Sequence, residues 1–141
     1  MLARRLPTFA AALWWGSLTA VGFLVVPMLF AHLPSPAVAG NMAAKLFAAQ
    51  TWVSTVCAML LLLLSRSKKT GALVDWAPTA LMFIAGGLLL ALLGEFAVSP
   101  RIVARENLKL WHAVGSSMYL LQWLCAGVTL WKLTPRESSQ V

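Results

Sequence analysis

The sequence predicts an all-α membrane protein, in which four transmembrane helices form an antiparallel bundle with both termini in the cytoplasm. Of its 141 residues, 60% are hydrophobic and only 11% are charged, whereas a soluble domain of this size carries about a quarter charged residues. Four apolar runs are each long enough to cross a bilayer, which takes about 20 residues of helix. Most of the basic residues lie between these runs or at the chain ends.

A single transmembrane domain is predicted over residues 1–131, followed by a polar cytoplasmic tail over 132–141. The four spans are expected near residues 7–31, 42–64, 76–98 and 108–131. The first run is about twice the roughly 7–15 residues of a signal peptide's apolar region. An uncleaved span is therefore favoured over the alternative, a cleaved signal peptide with a basic start and an Ala-Val-Ala cleavage site.

Local signals refine the predicted spans. Pro27 lies in the first span, and because proline removes a backbone hydrogen bond and crowds the preceding turn, we expect a kink there. Asn41 and Asp75 are the predicted N-caps of the second and third spans. The dipeptide at Ser99 and Pro100 is expected to end the third span.

The orientation follows from the distribution of basic residues. One side of the membrane collects seven, namely Arg4, Arg5, Arg66, Lys68, Lys69, Lys132 and Arg136. The other side collects four, namely Lys45, Arg101, Arg105 and Lys109. The positive-inside rule places the richer side, with both termini, in the cytoplasm. We expect a multi-pass protein of a bacterial-type inner membrane.

A polar stripe runs along the start of the fourth span. Its members recur at spacings of three or four residues and are Arg105, Lys109, His112, Ser116, Tyr119 and Trp123. These spacings place the side chains on one face of a helix. Because lipid cannot satisfy polar groups, that face must meet protein or water, which predicts that the other three spans pack around it.

Ionisable residues of separate spans are predicted to meet at the outer end of the bundle. Lys45 begins the second span, Glu95 lies near the end of the third, and His112 begins the fourth. Because an isolated charge in the membrane is costly, we expect Glu95 to pair with Lys45, Arg105 or Lys109, and His112 to join that network. Two interpretations stay open: a structural plug that sets helix register, or the floor of an outward-facing cavity for an ion, metal or small molecule.

Cofactor binding is left open by the sequence. His32 and His112 are the two histidines, and three methionines, Met28, Met42 and Met118, lie near the same outer half. Imidazole and thioether groups ligate Cu(I), so copper at these histidines and haem held between them are alternatives. No His-x-x-x-His, Cys-x-x-Cys or Met-x-x-Met spacing occurs.

The two cysteines lie inside apolar runs. Cys57 belongs to the second span and Cys125 to the fourth. A free cysteine in such surroundings is usually a small hydrophobic residue, which is the interpretation favoured here. A contact between them across the two spans is the alternative.

Three short stretches resemble the domain of unknown function 4149 family, which includes small four-span proteins related to transmembrane protein 205. They are WWGSLTAVGFLVVPMLF in the first span, NMAAKLF at the start of the second, and LWHAVGSS at the start of the fourth. The resemblance implies a four-helix membrane bundle, distantly similar to copper-resistance and haem-pathway membrane proteins. Eukaryotic members are linked to tolerance of platinum drugs.

The same resemblance singles out individual positions. Carried over to this chain, it points to Pro27, Lys45, Glu95, His112 and Ser116. Some members are acidic after the third span, whereas this chain is basic there. The resemblance therefore implies an architecture more than a reaction.

Three functions are compatible with these features. The leading one is a non-enzymatic membrane protein whose outer polar cluster handles a metal or small solute; the cluster comprises Lys45, Glu95, Arg105, Lys109, His112, Ser116 and Tyr119. The second is a structural or accessory subunit that docks another membrane protein. In the leading function, a transport path is expected to need a homodimer. The third is a copper- or haem-linked redox protein. The net charge of +7 is attributed to orientation and lipid head groups rather than to nucleic acid.

Overall fold

The computed structural model describes residues 2–66 and 72–134, which form four long helices, numbered α1 to α4 in chain order. Helices α2 and α4 are uninterrupted and cover Pro36–Leu64 and Leu108–Leu133. All four are long and apolar enough to cross a bilayer. The predicted all-α class with four apolar helices is therefore confirmed. The predicted tail lies outside the described residues beyond Thr134.

Helices α1 and α3 each contain one π-helical turn between two α-helical segments. Helix α1 consists of the α-helical segment Leu2–Thr19, a π-helical turn at Ala20–Val25, and a second α-helical segment, Val26–His32. Helix α3 repeats this pattern, with segments Ala77–Leu93 and Ser99–Val103 on either side of a π-helical turn. That turn covers Gly94–Val98.

Each π turn ends two residues before a proline. Proline has no N–H, and its ring crowds the carbonyl four residues earlier. Hydrogen bonds in a π turn reach one residue further back, as in the bond from the Ser99 amide to the Gly94 carbonyl. The helix can therefore continue past Pro100, which corrects the prediction that the third span ends there. At Pro27, where the sequence predicts a kink, α1 carries the corresponding π turn.

The helix starts also differ from the predicted ones. The N-cap of α2 is Ser35, whose hydroxyl accepts a hydrogen bond from the Val38 amide at 3.3 Å. Proline fits the first helical turn, so Ser35 followed by Pro36 forms a better start than Asn41, which lies inside the helix. In α3 the residue before the helix is Trp76 rather than Asp75, and no side chain caps that end.

The four helices form a ring in which each packs against its chain neighbours and α4 closes on α1. Short connections join α1 to α2 at residues 33–35 and α3 to α4 at residues 104–107. Helices joined by such short connections run antiparallel. In the second connection Arg105 and Asn107 adopt positive φ angles, of 57° and 31°.

The close-packed core occupies the end of the bundle that carries the termini. Trp14, Leu18, Leu61 and Ile84 are completely buried there. Helix α3 approaches Trp14 through Gly87, where an added Cβ would lie 2.7 Å from the indole ring. The opposite end of the bundle, which carries the two short connections, is more open.

Candidate functional site

A cavity of about 800 Å³ lies between the helices at the end that carries the two short connections. Every helix contributes to its wall, for example through Phe30 of α1, Phe47 of α2, Val98 of α3 and Met118 of α4. Most of the lining is apolar. The volume falls within the range of pockets that hold small molecules.

The cavity reaches deep into the bundle. Its lining extends along α4 from Leu108 to Gln122, a distance of about 21 Å at the rise of an α-helix. A membrane core is roughly 30 Å thick. The cavity therefore extends past the middle of a span of that length.

A hydrogen-bonded polar layer, called the floor here, adjoins the deep end of the cavity, which it meets at Gln122. The Gln122 side-chain amide donates to the Ser54 hydroxyl at 2.9 Å. The Gln50 amide donates to the Ser17 hydroxyl at 2.9 Å and to Ser54 at 3.4 Å. Gln50 and Gln122 are each only 5% exposed. This layer is absent from the predicted site, although polar side chains inside apolar runs indicate positions that face protein.

Two aromatic side chains of α4 attach the cavity wall to α1 near the start of its π turn. The Tyr119 hydroxyl donates to the Leu18 carbonyl at 2.7 Å, and its ring meets Phe47 edge-to-face at 5.3 Å between centroids. The Tyr119 ring occupies the space beside Gly22, where any Cβ would collide with it. The Trp123 indole donates to the Thr19 hydroxyl at 2.8 Å.

The structure brings together five of the seven residues of the predicted polar cluster. The cavity wall includes Glu95, Arg105, His112, Ser116 and Tyr119. The remaining two, Lys45 and Lys109, are exposed and do not line it. The side chains of the stripe on α4 therefore do not all face the cavity, because Trp123 packs against α1 instead.

The predicted pairing of Glu95 is wrong for the part of the chain that the structure describes. No basic nitrogen lies within 4.0 Å of its carboxylate there, and His112 makes no hydrogen bond among those residues. The candidate partners Lys45, Arg105 and Lys109 are exposed. Long basic side chains near a helix end can reach water, which satisfies their charge without a protein partner.

The two predicted metal ligands have different positions. His112 lines the cavity, whereas His32 does not, and its Nδ1 lies 3.0 Å from the Met28 carbonyl one turn earlier in α1. Within residues 2–66 and 72–134, no group of three or more His, Cys, Asp or Glu side chains is arranged to hold a metal ion. Cys57 and Cys125 are both free thiols.

A smaller groove lies beside the cavity, between α2 and α3. It has a volume of about 70 Å³ and is lined by Thr51, Trp52, Thr55, Leu92, Glu95 and Phe96. Trp52 and Phe96 are 66% and 67% exposed, so the groove opens on the outer surface of the bundle. Glu95 and Thr51 line both spaces, so the groove and the cavity adjoin at these two side chains.

Comparison with protein families finds a match over residues 9–110 to the family described as Domain of unknown function (DUF4149). The matched part includes the resembling stretches of the first two spans and ends where the third stretch, at the start of α4, begins. No curated protein and no solved structure matches the chain. Because the family match covers well over half of the chain, this protein belongs to the DUF4149 family.

Proposed function

We propose that the protein binds a small, predominantly apolar solute in the cavity between its helices. The observation that carries this proposal is the cavity itself, with its volume of about 800 Å³ and its largely apolar wall. A few polar groups interrupt that wall: Arg105 and His112 towards the connections, Glu95 in the wall, and Gln122 at the floor. Small-molecule pockets typically combine an apolar lining with a few such orienting groups.

A purely structural role for the polar cluster has less support. A plug that sets helix register needs side chains that bond to one another across helices. Among the described residues, neither Glu95 nor His112 has a hydrogen bond or ion pair. The polar groups that do connect helices are those of the floor, Gln50, Ser54 and Gln122. The floor can therefore set the register and leave the wall available for a ligand.

An organic solute is favoured over a metal ion by the lining. Cu(I) prefers thiolate, thioether and imidazole ligands. Of the three methionines near the outer half, only Met118 lines the cavity, and His112 is its one histidine. The remaining wall is mostly aliphatic and aromatic, which suits a hydrocarbon body better than an ion.

The proposal includes a location and an orientation. We place the protein in a bacterial-type inner membrane with both termini in the cytoplasm. The side that carries the termini has seven basic residues and the other side four, in line with the positive-inside rule. The cavity lies at the end opposite the termini. It would therefore open towards the outside of the membrane.

The test uses the purified protein in lipid nanodiscs and a photoactivatable dodecanol that carries a diazirine on its chain. Labelled positions are mapped by peptide mass spectrometry. Gly40 lines the cavity, and an added Cβ there meets no atom within 4 Å, so the side chain of Gly40→Leu would occupy cavity space. We expect labelling of Phe47 and Tyr119 to fall about tenfold, the effect of roughly 1.4 kcal/mol in affinity.

The matched control is Gly16→Leu. Gly16 is exposed, does not line the cavity, and has the same free space around an added Cβ. Its labelling pattern should equal that of the wild type. Labelling confined to outward-facing residues such as Leu63 and Met82, or an unchanged pattern in Gly40→Leu, would contradict binding in the cavity.

A further inference from the structure

Glu95 is the one carboxylate that lines the cavity within the described residues. It lies eight residues before Val103, the last residue of α3, or about 12 Å along the helix axis. It is half-buried in largely apolar surroundings. An ionised carboxylate at such a position is costly unless a donor or a positive charge accompanies it.

Three hydroxyl groups that line the groove or the cavity with Glu95 already donate elsewhere. Thr51 and Thr55, which share the groove with Glu95, donate to the carbonyls of Phe47 and Thr51 at 3.0 and 2.8 Å. Tyr119, across the cavity, donates to the Leu18 carbonyl. None of these hydroxyl protons is left for the Glu95 carboxylate.

The basic groups that line the cavity do not place a positive charge next to the Glu95 carboxylate either. Arg105 and His112 line the same space, but no basic nitrogen in the described part of the chain lies within 4.0 Å of the Glu95 carboxylate. Arg105 belongs to the exposed turn between α3 and α4, where water solvates its charge. Within the described residues, Glu95 therefore has no partner in the protein, and a bound ligand could supply one.

The groove on the other side of Glu95 indicates what that partner is. Two aromatic side chains, Trp52 and Phe96, line it together with the carboxylate. Aromatic faces attract cations, and tryptophan does so most strongly. A carboxylate beside two aromatic rings is a suitable environment for an ammonium group, and the groove opens on the outer surface of the bundle.

We infer that the solute is an apolar molecule with a protonated amine, whose ammonium group binds at Glu95 beside Trp52 and Phe96. Its apolar body then occupies the large cavity, which Glu95 also lines. This inference rests on the proposed function and specifies its ligand. A carboxylate-bearing solute would instead be drawn to Arg105 at the cavity mouth.

The test compares three photoactivatable dodecyl probes that differ only in the head group: an amine, an alcohol and a carboxylic acid. Each is mapped on the wild type in nanodiscs of uncharged phosphatidylcholine. We expect the amine to label cavity residues about tenfold more than the alcohol, as a charge-assisted hydrogen bond would produce. In Glu95→Gln, which keeps the shape of the side chain, amine and alcohol should label equally.

The matched control is Glu106→Gln. Glu106 is an exposed carboxylate at the same end of the bundle and does not line the cavity. This variant should keep the preference for the amine, which separates the effect of Glu95 from a general change in surface charge.

A second variant keeps the test decisive if Glu95→Gln does not fold. Trp52 is largely exposed, so Trp52→Leu leaves the core intact. We expect it to lower the amine preference about two- to fivefold, the range of an exposed cation–π contact. Trp131→Leu, at another largely exposed tryptophan near the opposite end of the bundle, is its control.

The outcomes separate the two proposals. Equal cavity labelling by all three probes, or strongest labelling by the acid, overturns the amine inference and leaves solute binding intact. An undiminished amine preference in both Glu95→Gln and Trp52→Leu also overturns it. No cavity labelling by any probe overturns solute binding and the amine inference together.

Discussion

At the scale of single residues, glycines decide where the helices approach each other. Gly87 of α3 lies against Trp14 of α1, and an added Cβ at Gly127 of α4 would lie 3.0 Å from the indole nitrogen of Trp15. Lipid is as apolar as a leucine side chain, so helix association in a membrane depends on close packing. Small residues opposite large rings provide that packing.

The contact between Gly87 and Trp14 predicts the effect of a single methyl group. The added Cβ of Gly87→Ala would lie 2.7 Å from a rigid, completely buried indole ring. We expect the free energy of unfolding to fall by about 1–3 kcal/mol, as for other overpacked cores. The measurement is unfolding in mixed micelles with increasing dodecyl sulfate, followed by circular dichroism.

The neighbouring glycine is the control for this measurement. An added Cβ at Gly86 meets only the Cys125 sulfur, at 4.0 Å. Gly86→Ala should therefore match the wild type or exceed it by up to about 1 kcal/mol, because alanine favours the helix. Equal stabilities of the two variants would show that the close approach to Trp14 does not limit packing.

At the scale of elements, the π turns keep residues of one helix on the cavity wall. In an α-helix, side chains four residues apart drift by about 40° around the axis. The wall nevertheless includes Leu90, Gly94, Val98 and Ile102 of α3, and Gly22, Val26 and Phe30 of α1. A π turn winds more slowly per residue and offsets this drift. Both turns therefore hold these residues along one face.

Removing the proline should change this winding. In Pro27→Ala the regained N–H can donate to the carbonyl four residues earlier, which allows α1 to return to regular α-helix. The segment beyond residue 27 would then rotate by up to about 100° around the axis. Spin labels at the exposed positions Ala12 and Ala31, after replacement of both native cysteines by alanine, should report a shifted distance distribution.

The control for this experiment is Pro78→Ala with the same pair of labels. Pro78 lies in the first turn of α3, where proline breaks no helical hydrogen bond. The distance between the labels should not change in that variant. An unshifted distance in Pro27→Ala would contradict the assignment of the π turn in α1 to its proline.

At the scale of the whole molecule, the bundle is tight at one end and open at the other. The end with the termini contains the buried core around Trp14 and Ile84. The end with the short connections contains the cavity. The floor formed by Gln50, Ser54 and Gln122 separates the two halves. The orientation in the membrane therefore decides which compartment the cavity faces.

Single-cysteine labelling tests that orientation. Pro34, between α1 and α2, and Thr134, just after α4, are both exposed and lie at opposite ends of the bundle. With a membrane-impermeant maleimide, Pro34→Cys should react in intact spheroplasts, and Thr134→Cys only after lysis. The chain without either substitution is the control, since Cys57 and Cys125 lie within the spans. The reverse pattern would place the cavity mouth in the cytoplasm.

The polar stripe on the fourth span illustrates which part of the candidate site the sequence could predict. Its periodicity indicated that one face of α4 meets protein or a cavity, and His112, Ser116 and Tyr119 do line the cavity. That Glu95 is unpaired among the described residues could not be predicted in this way. That pairing depends on the rotation of α3 relative to α2 and α4, and a π turn changes this rotation without a visible break in hydropathy.

The sequence alone determined the number, order and approximate length of the helices, because an apolar run has to match the thickness of a bilayer. It also indicated that polar side chains within these runs face inward. The tertiary structure decided that the half with the two short connections encloses a cavity and that Glu95 lies in its wall without a partner among the described residues. Those features depend on how far apart and at what rotation the helices pack, which glycine–aromatic contacts and two proline-linked π turns determine together.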